Sequence, residues 1–67
     1  MNWDQIEGKW KQLKGRVRET WGDITEDELD TIGDKRERLA GIVQEKYGVV
    51  KEEAERQIAK FEHALDA

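Results

Sequence analysis

The 67-residue chain has no cysteine and no proline, and histidine, tyrosine, phenylalanine and methionine occur once each. Without cysteine there is neither a disulfide staple nor a thiolate metal site. Without proline, no residue forces a helix to stop. No apolar run approaches the roughly 18 residues of a membrane span. Asp4 and Glu7 in the first turn do not fit a signal peptide, so a cytoplasmic protein is expected. Catalysis requires a positioned acid, base or nucleophile in a low-dielectric pocket. The lone histidine, His63, is instead expected as a last-turn residue favourable to a helix dipole. No catalytic residue, cofactor site or metal ligand is therefore assigned, and a non-enzymatic protein is expected.

What the chain has in excess is charge. Charged residues make up 42%, against about 25% in ordinary domains, and the polar positions are filled with good helix formers. The net charge of −4 is unevenly spread. Residues 1–21 carry +2 and residues 22–34 carry six acids and no base, while 35–48 return to +2 and 49–67 stand at −2. The simplest expectation is a basic first helix lying beside an acidic connector. A chain this short has room for one domain, taken as residues 1–67.

The stretch from Asn2 to Gly22 holds all three tryptophans and three of the six glycines. At about 100° per residue, Trp3, Ile6, Trp10, Leu13, Val17 and Trp21 fall within an arc of roughly 80°. That stripe is expected to face the core. Asn2 with Gln5 resembles a capping box at its start, and Gly22 is expected to end it in a left-handed conformation. Thr25 and Glu28 form a second capping box, flanked by Ile24 and Leu29 at the positions of a hydrophobic staple, so a short helix is expected from Glu26 to about Ile32. Gly33 marks a break or bend. A third helix follows, with Asp34 as its N-cap, Leu39, Ile42, Val43 and Tyr47 at helical spacing, and Gly48 as its stop. The last helix carries Ala54, Ile58, Phe61 and Leu65 on one face, although Val50 stands where a polar cap is expected. The reading is all-α: a small domain of four helices, arranged as two helical hairpins packed roughly orthogonally.

These residues carry a family resemblance. GKWKQLKGRVRETWGDIT at Gly8 to Thr25 is similar to the G-x-W-K-Q-x-K-G-x-V-K-E-x-W-G-x-L-T core of the CsbD-like family of small bacterial proteins. GDKRERLAGIVQEKYG at 33–48 and KEEAERQI at 51–58 resemble the rest of that pattern, with Asp34 inserted between Gly33 and Lys35 and Val50 in place of a polar cap. The resemblance implies a cytoplasmic protein accumulated under general, envelope or osmotic stress, with a SAM-domain-like arrangement of two orthogonal hairpins. It implies no catalytic residues, so a stress-response protein that works by binding or by abundance is expected.

Four features of the sequence could carry binding. Glu26, Asp27, Glu28 and Asp30 lack the glycine turn and distal glutamate of a calcium loop, so a solvated, capping face is expected. The tryptophans could stack single-stranded nucleic acid, but their shared arc with Ile6, Leu13 and Val17 assigns them to the core. Lys11, Lys14 and Arg18 line one flank of the first helix, and Lys9 and Arg16 line the other. Gly8 and Gly15 lie on the back between them, each costing about 1 kcal/mol relative to alanine in a helix. The candidate interaction surface is therefore Gly8, Lys11, Lys14, Gly15 and Arg18. A protein partner or a second copy of the chain ranks first as its occupant. Nucleic acid and an anionic membrane rank behind, because a pI of about 5.0 is opposite to the usual nucleic-acid footprint and the apolar face is claimed by the fold.

Overall fold

The computed structural model describes residues 1–66. The all-α class holds, with five helices rather than four: α1 (Trp3–Gly8), α2 (Trp10–Thr20), α3 (Glu26–Ile32), α4 (Arg36–Tyr47) and α5 (Lys51–Ala64). The extra helix arises because the first segment breaks at Lys9, where φ is −118° and ψ 22°. A straight helix from Trp3 to Trp21 would be about 28 Å long at 1.5 Å per residue. The whole molecule measures 27 × 23 × 18 Å. Residues from both sides of the break, Ile6 on one and Val17 and Trp21 on the other, lie in one core.

That core contains Ile6, Val17, Trp21, Ile24, Leu29, Ile32, Leu39, Ala40, Val43, Ala54, Ile58 and Phe61, all buried. Trp3, Trp10, Leu13, Ile42, Val49 and Leu65 are half-buried around it. Every helix contributes, so the stripe identified in α1 and α2 is a core stripe as expected. Its N-terminal half is covered less completely than its C-terminal half. The indoles are fixed by specific partners: Trp3 Nε1 donates to the Asp34 carbonyl at 2.8 Å, and Trp21 Nε1 donates to Gln57 Oε1 at 2.9 Å. Trp21 also packs on Phe61, ring centres 5.4 Å apart and planes tilted by 55°. Tyr47, expected among the apolar positions of α4, is instead exposed, and its hydroxyl accepts the Asp23 N–H at 3.1 Å.

Local signals set most helix ends. Both capping boxes form: Asn2 Oδ1 accepts the Gln5 N–H at 3.0 Å, and Thr25 Oγ1 accepts the Glu28 N–H at 3.2 Å. Glu28 Oε1 returns to the Thr25 N–H at 2.9 Å. Gly33 separates α3 from α4 with φ 59° and ψ −126°, and Gly48 closes α4 in the left-handed region at φ 62° and ψ 34°.

Two expected caps differ. Gly22 is not left-handed, because positive φ occurs among the described residues only at Gly33 and Gly48. Trp21 leaves α2 at φ −121° and ψ 82° to reach the core, and the Ile24 N–H then closes a turn on the Trp21 carbonyl at 3.1 Å. Asp34 is not the N-cap of α4. Lys35 holds that position without a side-chain hydrogen bond, while the Asp34 carbonyl is occupied by the Trp3 indole.

Candidate interaction surface

Each residue of the expected surface can now be placed. Gly8 is the last residue of α1, and Gly15 lies in the interior of α2. Both are exposed, and a Cβ added at either would meet nothing within 4 Å. The break at Lys9 interrupts the helix between them, so they no longer share the back of one continuous helix. Lys11 is exposed and makes no ion pair among the described residues. Lys14 Nζ lies 3.5 Å from Asp30 Oδ1, and an Arg18 guanidinium nitrogen lies 3.9 Å from Glu26 Oε1.

The acidic connector therefore lies alongside the basic flank of α2, as the charge pattern anticipated. The third contact of α3 runs to the opposite side, with Lys46 Nζ of α4 3.0 Å from Glu28 Oε1. These pairs are partly or fully exposed, and such surface pairs contribute little individually. Their larger effect is on surface chemistry, because α2 and α3 together present alternating charge instead of a continuous basic strip. On the other flank Arg16 pairs with Glu19 one turn on at 3.8 Å.

Two carboxylates have altered acidity. Glu28 is held below the usual glutamate range, first by the backbone N–H of Thr25 and then by Lys46. Glu53 is lowered by its hydrogen bond from Gln57 and then by Arg56. Both effects are structural: Glu28 closes a helix cap, and Glu53 orients the Gln57 amide that receives the Trp21 indole.

Among the described residues, no three His, Cys, Asp or Glu side chains converge as a metal site would require, and no helix is long and apolar enough to cross a membrane. His63 is exposed in the last turn of α5. Sequence reasoning missed a depression beside the half-buried Trp3, walled by Glu7, Lys35, Arg36, Glu37 and Arg38. Arg36 reaches Glu62 at 3.5 Å, and Arg38 donates to the Thr31 carbonyl at 3.2 Å. The Lys35-Arg36-Glu37-Arg38 run was the visible signal. What it lacked was any local hint that Trp3 packs against it.

The chain was compared with known proteins. No solved structure matches it. A UPF0337 protein of Nitrosomonas europaea is 55% identical over 67 residues, covering all of this chain and 71% of the relative. One from Bordetella pertussis is 49% identical over 61 residues, covering 91% of this chain and 92% of the relative. The UPF0337 protein YjbJ of Escherichia coli O6:H1 is 44% identical over 65 residues, or 97% and 84% of the two chains. The family model described as CsbD-like matches residues 4–56, which takes in α2, α3 and α4 whole, and with that match the chain belongs to the CsbD-like family.

Proposed function

We propose that this is a small, non-enzymatic, cytoplasmic stress-response protein that acts by binding, through the outward side of α1 and α2 at Gly8, Lys11, Lys14, Gly15 and Arg18. The observation carrying this reading is Gly15. It sits in the interior of α2 with open space where its side chain would be, at a helical φ, so neither packing nor backbone geometry calls for glycine. An interior helical glycine costs about 1 kcal/mol relative to alanine. That cost within a small domain is accounted for when something outside the chain approaches the backbone there. Membership of the CsbD-like family supports the stress role, which is a property of the family rather than of any one residue.

A second reading is nucleic-acid binding by the basic flank, favoured by Lys11, which is exposed and makes no ion pair among the described residues. Against it stand the pairing of Lys14 and Arg18 with α3 acids and the net charge of −4. Two experiments test the proposal. Affinity capture from stressed cells should lose its specific partners when Lys11, Lys14 and Arg18 are all changed to glutamine; an unchanged partner set would refute the assignment of this surface. Titration with DNA and RNA at low and moderate salt should give no salt-dependent binding, which phosphate contacts would produce.

A further inference from the structure

A groove of about 400 Å³ opens where the ends of α2 and α4 meet the C-terminal half of α5. Trp21 and Phe61, both buried, form its floor, and Tyr47 and Lys60, both exposed, stand at its rim. Thr20 and Gln57 complete a lining that is mostly apolar.

Most polar groups of this lining are already in use. Thr20 Oγ1 donates to the Arg16 carbonyl at 3.0 Å, the Trp21 indole donates to Gln57 Oε1, and the Gln57 amide donates to Glu53 Oε2 at 2.9 Å. Two groups at the rim are not. Lys60 is the one charged residue of the lining and makes no ion pair among the described residues. On the outer face of α5 its neighbours are Glu53, Arg56 and His63, and the Glu53 carboxylate already has Arg56 and Gln57 as partners. The Tyr47 hydroxyl accepts the Asp23 N–H at 3.1 Å, which leaves its own hydrogen to donate. The groove therefore offers a ligand an aromatic floor, one positive charge and one hydroxyl donor.

We propose that this groove binds a small aromatic carboxylate, with its ring over Trp21 and Phe61 beside Tyr47 and its carboxylate on the Lys60 ammonium and the Tyr47 hydroxyl. An apolar site with a few convergent polar groups is the usual form of a small-molecule site. The ring gains edge-to-face contact with three aromatic side chains. A carboxylate is a monoanion, matched by one lysine and acting only as an acceptor, whereas a phosphate ester carries closer to two charges. The depression beside Trp3 and the one between α4 and α5 lack this selectivity, since each is lined by acids as well as bases. The groove shares no residue with the surface at Gly8, Lys11, Lys14, Gly15 and Arg18, so it goes beyond that reading and can fail without it.

The test titrates the full, isotope-labelled chain with 3-phenylpropionate and follows the three indole N–H signals by nuclear magnetic resonance. A saturable shift of the Trp21 signal is expected, with Trp3 and Trp10 unmoved. The Kd should be on the order of a few millimolar, as ordinary ligand efficiency gives for about 11 heavy atoms. Neutral 3-phenylpropanol should bind about two- to fivefold more weakly, the range of an exposed ion pair, and propionate, which has no ring, should not shift Trp21. Lys60→Gln should bring the acid level with the alcohol. Ala64→Leu, at an exposed position that lines the groove, should weaken both by filling it, with the fold verified by circular dichroism. No saturable shift at Trp21, equal shifts at all three indoles, or equal affinity for acid and alcohol overturns the proposal. So does a folded Lys60→Gln protein that binds the acid as the native chain does.

Discussion

Replacing Gly15 with alanine isolates the reasoning behind the binding surface. Gly15 is helical, exposed and interior to α2, and its added methyl would touch nothing within 4 Å. No cavity is filled and no contact is made, so the whole effect is helix propensity. The substitution should therefore stabilise the isolated protein by about 0.8–1.0 kcal/mol. For a domain of this size that corresponds to a rise in Tm of roughly 3–8 °C. Gly41 in α4 meets the same conditions, and because the two glycines lie on different helices the double variant should gain about twice as much. The assay is thermal denaturation followed by circular dichroism at two protein concentrations, so that self-association would appear as a concentration-dependent Tm. A Gly15→Ala protein that is less stable, or unchanged, at both concentrations would refute the claim that the fold has no use for this glycine. A protein that gains stability yet loses its binding is the signature of a glycine held for a partner.

Other substitutions probe the elements that hold the surface in place. Thr25→Ala removes the N-cap of α3 and should cost about 1 kcal/mol in urea denaturation, with the denaturant slope unchanged. Gly48→Ala forces a Cβ into left-handed geometry and should cost about 1–2 kcal/mol, the reverse of the Gly15 result, in the same assay. Stability should fall on acidification. Glu28 and Glu53 have folded pKa values below the ordinary 4.5, so the unfolded chain binds protons first. Their contribution is complete above that value and is lost as pH drops through the lower folded values. Tm followed from neutral pH downwards should decline more shallowly in Glu28→Gln than in the native chain.

How much of this was legible in the sequence depends on the range of the interaction that decides each feature. The bounds of α3 were readable because Thr25, Glu28, Ile24 and Leu29 settle them within six residues. Gly48 was readable for the same reason. The stripe of α5 was readable because Ala54, Ile58 and Phe61 face one direction whatever they pack against. The break at Lys9 was not, since Gly8 is no stronger a stop signal than Gly15, and α2 runs on through Gly15. Gly22 and Asp34 misled for a related reason. Each stands where a local cap is chemically suitable, but Trp21 must reach Gln57 and the Asp34 carbonyl must receive Trp3, and those partners lie 36 and 31 residues away.

The candidate surface was legible in part. Segment charges anticipated that α3 would lie along α2, since six acids without a base must find cations nearby. They could not say that Lys14 and Arg18 would be paired while Lys11 has no ion pair among the described residues. Nor could they show that Lys35, Arg36, Glu37 and Arg38 would line one depression with Trp3, because that wall joins the start of α1 to the start of α4.

The central claim is that this protein works by binding through the outward side of its first helical segment. The most direct measurement is survival of osmotic shock by cells whose chromosomal copy carries Lys11→Gln, Lys14→Gln and Arg18→Gln together. Protein level is matched by immunoblot, and folding of the purified variant is verified by circular dichroism. The account predicts that these cells survive no better than a deletion strain although the variant is folded and abundant. Survival equal to that of native cells would contradict it.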